Sequence, residues 1–212
     1  MLTLYYSPGA CSLASHITLE ESKAQYEPKP VIIAKGEHKT EDYLTINPRG
    51  KVPALGIEDG QVITENVAIL TYVAHRFPSA ALMPTDALAE ARCLSTMAWL
   101  SNTVHPSFTH IFRPEAYSED PAAHPGIKEI GKKTYWRLLE EADRLMADRQ
   151  WIQGDRFTTC DPYMLVFYHW GVRTGFPMEN LKCLTPWKDR MLRRTAVLTI
   201  LRRENNTTLL KA

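Results

Sequence analysis

Every stretch with strand character in this chain lies before Glu65, and every tryptophan lies at Trp99 or later. That asymmetry calls for an alternating β/α segment followed by a helical one, because a single sheet running through the whole chain would need strands in both halves. Leu2–Tyr6 is an apolar run that stops at Ser7-Pro8-Gly9. The next stretch, Ser12 to Ser22, sets Leu13, Ile17 and Leu19 among small and polar residues, as a short helix with one buried face would. Tyr26 to Ile33 carries β-branched residues but also Pro28 and Pro30. Proline removes a ladder donor, which predicts an edge strand, or one that becomes regular only at Val31-Ile32-Ile33. Lys35 to Thr45 reads as a loop or weak helix. Val52–Ile57 and Gln61–Thr64, separated by Glu58-Asp59-Gly60, read as a β-hairpin. Asn66 is expected to cap a helix that repeats Val67, Leu70, Thr71, Ala74 and Phe77 at helical spacing.

The pattern changes at Phe77-Pro78-Ser79, where two prolines and small residues suggest a linker. Ala87–Trp99 is glycine-free and rich in helix formers, and a second amphipathic helix is expected to bury Ile127, Ile130, Thr134, Leu138, Ala142 and Leu145. Trp151 to Gly154 reads as a turn. Thr158-Thr159-Cys160-Asp161 fits a helix start in which a hydroxyl is followed three residues later by a carboxyl group. Pro162 leaves the Thr158 carbonyl without its first intrahelical donor, so the cap should matter more here. The expected units are residues 1–77, with sheet and helices, and 88–212, all helical.

Charge limits the partners. Lys and Arg number 25 against 24 Asp and Glu, a formal net charge of +1, so neither nucleic acid nor an anionic membrane surface is suggested as a target. The basic run from Lys188 to Arg203 is read as a solvated helical face. Cysteines stand at 11, 93, 160 and 183, with neither Cys-x-x-Cys nor zinc spacing, and the histidines form no ligand pattern; no metal is expected. With no basic leader and no long apolar span, the expected compartment is the reducing cytoplasm.

Cys11 is the first candidate for chemistry. Taken alone, a cysteine packed between helix and strand is more often a small apolar residue than a reactive one. At a helix N-terminus, however, free N–H groups and the helix dipole stabilise an anion, which predicts a thiol that ionises readily. His16, one turn on, is expected to be a structural hydrogen-bonding residue.

Four motifs in order, Ser7-Pro8-Gly9-Ala10-Cys11-Ser12, Asn47-Pro48-Arg49-Gly50-Lys51-Val52-Pro53, Thr64-Glu65-Asn66 and Phe157-Thr158-Thr159-Cys160-Asp161, resemble bacterial glutathione S-transferases of the beta class. The resemblance runs from end to end. It implies a thioredoxin-like α/β N-terminal domain plus an all-α C-terminal domain, glutathione as co-substrate without a metal, a small hydrophobic electrophile, and a homodimer. By the same resemblance, Cys11 faces the glutathione sulfur, Val52 pairs its backbone with the cysteinyl part, and Pro53 is the family's cis-proline. Glu65 and Asn66 hold the γ-glutamyl end, Lys35 meets the glycine carboxylate, and His105 and Asn102 approach from the helical domain. Tyr6 or Ser12 is an alternative hydroxyl for holding the thiolate. The Trp99–His105 segment is shorter than in the class, and each residue lost from a helix rotates the downstream side chains by about 100°, so the aim of His105 depends on a compensating bend. Two other functions stand beside transfer: thiol-disulfide exchange through Cys11, and a non-catalytic interaction module.

Overall fold

The computed structural model describes residues 1–211. Its sheet has the order β2-β1-β3-β4, from β1 (Leu2–Tyr6), β2 (Tyr26–Pro30), β3 (Ala54–Gly56) and β4 (Val62–Thr64). β1 and β2 run parallel, with Leu2 opposite Tyr26, and the other pairings are antiparallel. α1 (Leu13–Glu21) makes the crossover, α2 (Glu41–Ile46) precedes the hairpin, and α3 (Asn66–Arg76) comes after it.

Alternation along β1 decides which helix covers which face. Leu2, Leu4 and Tyr6 pack with Leu19 of α1 and with Ile69 and Val73 of α3. Tyr5 packs on the opposite side with Tyr43 of α2, Val31 and Val52. The prolines of β2 are tolerated because β2 is an edge strand. Val31 donates its N–H inward to the Tyr6 carbonyl at 2.7 Å, so alternation turns the donorless nitrogens of Pro28 and Pro30 outward. The strand ends there, before Val31-Ile32-Ile33. The chain continues into short 3-10 turns at Ile33–Lys35 and Glu37–Lys39 instead of a regular strand.

Beyond β4 the described residues contain no strand. α4 (Ala87–Trp99) runs through a π-helical turn, Leu100–Val104, into α5 (His105–Phe112). α6 (His124–Leu145), α7 (Cys160–Arg173), α8 (Leu184–Met191), α9 (Thr195–Arg203) and α10 (Thr207–Leu210) complete the fold. α7 is its axis, with every residue from Cys160 to Gly171 buried. On α6 the buried face differs from the expected one. Tyr135, Leu138, Leu139 and Ala142 point inward, whereas Ile130 and Leu145 are exposed. Gly131 sets that rotation: a Cβ there would lie 2.7 Å from the His110 side chain, so α6 presses its glycine against α5 and turns Ile130 away. No helix among the described residues is long and apolar enough to cross a membrane.

The two halves share one core, in which Leu13, Ile17 and Leu70 pack among residues of α4 to α9. Polar clamps reinforce the junction. Arg194 grips Glu21 through two N–H donors at 2.6 and 2.9 Å. Glu204, buried just beyond α9, sits 2.7 Å from His16 Nδ1 and accepts the Gly9 N–H at 3.1 Å, while the Trp170 indole N–H donates to the Gly9 carbonyl at 2.9 Å. The helical half therefore holds the loop that leads to Cys11. His16 is part of this clamp, as its structural reading anticipated.

Candidate active site

Three turns of backbone converge at the C-terminal end of β1. In the first, the Ser12 hydroxyl accepts the Ser7 N–H and donates to the Ser7 carbonyl, both at 3.1 Å, which closes the loop around Pro8-Gly9 and sets Cys11 ahead of α1. In the second, Asn47 Nδ2 and the Tyr43 hydroxyl both donate to the Lys51 carbonyl at 2.7 Å. Gly50 has φ +57° there, and a Cβ would come within 2.9 Å of the His38 carbonyl, so glycine is required. That turn delivers Val52 and the cis Val52-Pro53 bond. In the third, Glu65 adopts φ 70° and ψ 128° between β4 and α3, a conformation costly for any residue with a Cβ.

Asn66 ties the turns together. It is the first residue of α3 rather than its cap, and its side chain makes no capping bond. Instead its Oδ1 accepts from the Ser15 hydroxyl at 2.7 Å and its Nδ2 donates to the Cys11 carbonyl at 3.0 Å. The expected cap was wrong because tertiary partners claim both ends of the amide.

These turns wall one side of a cavity of about 310 Å³ with Cys11, Asn47, Lys51, Val52, Pro53, Glu65 and Asn66. Ser101, His105, Pro106, Thr109, Tyr117 and Tyr163 wall the other. Two further cavities, of about 270 and 600 Å³, lie elsewhere and contain neither Cys11 nor His105. The site cavity thus spans the boundary between the halves, where residues from distant parts of the chain meet.

Of the residues expected at the site, Cys11, Val52, Pro53, Glu65, Asn66 and His105 line this cavity. Lys35 is exposed on its 3-10 turn and Asn102 is exposed on the π-helical turn, and neither lines it. Tyr6 is buried behind the wall with its ring 4.6 Å from that of His16, and the Ser12 hydroxyl is engaged by Ser7. The Trp99–His105 segment takes a π-helical turn at Leu100–Val104. Pro106 has no N–H and its ring crowds the carbonyl four residues earlier, which widens the helix at that point and aims His105 into the cleft. Tyr163, Ser101 and Thr109 bring hydroxyls to the cavity that sequence reasoning missed, that of Thr109 donating to the His105 carbonyl at 3.1 Å.

The electrostatics reverse one expectation. Burial pushes the Cys11 thiol up to about 12, and Glu65 adds to this; its own backbone N–H, Lys51 and Asn66 pull the other way and lose. The thiol donates to the Val52 carbonyl at 3.4 Å, as a protonated sulfur would. The helix-end effect fails here because α1 begins only at Leu13 and the sulfur turns toward a carbonyl. Burial, with Lys51 nearby, takes His105 down to about 4, so its imidazole is neutral at pH 7 and can donate a single N–H. Burial also raises the Tyr163 hydroxyl, keeping it a donor.

Residues 1–75 match the model for the glutathione S-transferase N-terminal domain. The chain is 33% identical over 198 residues to glutathione S-transferase GstA of Escherichia coli O157:H7, a match covering 92% of this chain and 95% of that one. This chain belongs to the glutathione S-transferase family. A solved glutathione transferase homologue from Sulfitobacter, with bound glutathione, matches at TM-score 0.92 and 32% identity over 96% of this chain and 98% of that one. A bacterial beta class glutathione S-transferase from Sphingomonas chungbukensis matches at TM-score 0.85 and 33% identity, over 95% and 98%. The family and fold expected from the four motifs are therefore borne out.

Proposed function

We propose that this chain is a glutathione transferase that binds the tripeptide along Val52 and Glu65-Asn66, lowers the pKa of its thiol, and directs the thiolate at a small hydrophobic electrophile. The observation that carries this reading is the meeting of cavity-lining Val52, whose carbonyl is held, among the described residues, only by the Cys11 thiol at 3.4 Å, the start of α3 with Glu65, and a cluster of neutral donors in one cavity. A peptide laid beside Val52 pairs its amide N–H with that carbonyl, in the manner of an added strand. The same step displaces the Cys11 S–H, which is then free to donate to the ligand's sulfur. The first N–H groups of α3 receive the γ-glutamyl carboxylate, and the Glu65 carboxylate receives its ammonium.

Stabilisation of the sulfur anion comes from donors already in place. The Cys11 S–H and N–H, the Tyr163 hydroxyl and the neutral His105 N–H surround the point where negative charge develops, in a largely desolvated setting. The thiolate attacks the electrophilic carbon and the leaving group departs with the bonding pair. Pro106 and the rings of Tyr117 and Tyr163 offer the electrophile an apolar wall, and Thr109 and Ser101 offer polar points of contact. Such conjugation suits detoxification in a reducing cytoplasm, where the four free cysteines would persist. Exchange through Cys11 is less favoured, because a thiol held protonated is a weak nucleophile.

The test is calorimetric titration with glutathione, followed by turnover of an aryl halide. Binding with conjugation is expected; no binding at millimolar glutathione would sink the proposal. Glu65→Ala should raise the glutathione KM by about tenfold or more while kcat changes little, since a charge-assisted contact formed equally in ground and transition states is lost. A fall in kcat at unchanged KM would give Glu65 a different role.

The units 1–77 and 88–212 are read as the binding and electrophile domains, and a two-fold homodimer pairs one with the other across chains. Exposed Val62 on edge strand β4 and exposed Leu88 on α4 support that pairing, because each leaves apolar surface uncovered on a different half. Light scattering at micromolar concentration should give twice the 24.2 kDa chain mass. A monomer mass would refute it.

A further inference from the structure

Away from the cavity, two fully buried thiols meet that the transfer chemistry does not use. Cys93, in the middle of α4, and Cys160, the first residue of α7, place their sulfurs 3.1 Å apart. A disulfide needs about 2.05 Å, so an approach of roughly 1 Å closes the bond. We propose that Cys93 and Cys160 form a reversible intrachain disulfide, an oxidation site whose oxidant is a small hydroperoxide.

Three features make this pair distinct from the other cysteines. The sulfurs are already positioned: the Cys160 S–H lies 3.4 Å from the Cys93 carbonyl, and Thr159 Oγ1 lies 3.9 Å from the Cys93 sulfur. The two thiols also have unequal character. Hydrogen bonds from Cys160 and the threonine hydroxyls lower the Cys93 thiol, whereas burial raises Cys160 well above the ordinary range. One sulfur is thereby the nucleophile and the other the proton carrier. The site is also closed to large reagents, since both residues have no accessible surface. Hydrogen peroxide is small and neutral enough to reach it through packing fluctuations, whereas glutathione disulfide is not.

The chemistry balances. The Cys93 thiolate attacks one peroxide oxygen, an S–O bond forms, the O–O bond breaks, and the departing hydroxide takes up a proton as water. The Cys160 sulfur then attacks the resulting sulfenic acid, an S–S bond forms, the S–O bond breaks, and the Cys160 proton leaves in a second water. Two thiols lose two electrons and one peroxide gains them. The bond joins α4 to α7, and residues downstream of each cysteine, Ser101 and His105 on one side and Tyr163 on the other, line the cavity. Oxidation therefore fastens α7, which carries Tyr163, to the helix that runs on into the π-helical turn and α5 of that wall.

The experiment uses the full-length wild-type protein, treated with hydrogen peroxide while folded, then denatured, alkylated and digested without reductant for mass spectrometry. A linked pair of peptides containing Cys93 and Cys160 is expected, lighter by two hydrogens than the reduced pair and abolished by dithiothreitol. Peroxide added after denaturation in urea should give no preference for this pairing. Cys93→Ala and Cys160→Ala should each leave the remaining partner as an alkylatable thiol, but the wild-type result decides the matter whether or not those variants fold. Recovery of both cysteines as free thiols under conditions that oxidise half of Cys183 would overturn the proposal. So would conversion to sulfonic acids without a link, or the same linked peptide at equal yield from urea.

Discussion

At neutral pH, iodoacetamide is expected to label Cys183 well before Cys11, although Cys11 is the cysteine beside a helix start. A thiol raised to about 12 rather than the ordinary value near 8.5 carries less thiolate at pH 7 by on the order of a thousandfold. The greater intrinsic nucleophilicity of a high-pKa thiolate recovers only part of that loss. Cys183 is partly buried like Cys11, and its thiol is also raised, by burial and by Asp143 and Asp148, but the Cys11 sulfur is in addition held against the Val52 carbonyl. The labelling rate of Cys11 should climb with pH and reach no plateau below about pH 10. A plateau near neutrality, or Cys11 reacting first, would show that the α1 dipole outweighs desolvation after all. Because the proposed role of Cys11 is to donate rather than to attack, Cys11→Ala should cost conjugation no more than about tenfold, the worth of one ordinary hydrogen bond.

That reversal separates the properties a sequence carries locally from those that only folding creates. Leu2–Tyr6, the hairpin and Ala87–Trp99 were legible because hydrophobic period and turn chemistry are local properties, and the edge position of β2 came from two prolines that no interior strand accommodates. Five of the six expected site residues that share the cavity, Cys11, Val52, Pro53, Glu65 and Asn66, came from motifs built around turns, and His105 came from its place after Trp99. The features that were missed depend on a partner distant in sequence. Asn66 looks like a cap until Ser15 and the Cys11 carbonyl claim its amide. Ile130 looks buried until Gly131 meets α5. Tyr163 reads as one more aromatic in an apolar run, and only the placement of α7 against the Cys11 loop turns it toward the cleft. The environment of the Cys11 sulfur belongs to the same class, since neither Val52 nor the degree of desolvation is adjacent in sequence.

The site's helical wall hangs on α7, and the start of α7 hangs on Asp161. Asp161→Ala is expected to destabilise the fold by about 3 kcal/mol or more, lowering the thermal midpoint by roughly 6 to 12 °C for a chain of this size. The carboxylate is fully buried and accepts the Ile152 N–H at 3.0 Å, the Thr158 N–H at 2.8 Å and the Trp187 indole N–H at 2.9 Å. Burial pushes it up to about 6, so at pH 7 it remains mostly ionised and those bonds are charge-assisted. Removing it strands three donors away from water and leaves a void between α7, α8 and the turn at Trp151–Gly154. Thr158→Ala should cost only about 1 kcal/mol, because it removes the hydroxyl that accepts the Cys160 N–H at 3.3 Å while the Thr158 N–H keeps Asp161. The ordering discriminates between a local cap and a tertiary hub. Equal losses from the two substitutions would make Asp161 a cap alone, whereas a much larger loss from Asp161→Ala is what a carboxylate joining three segments requires.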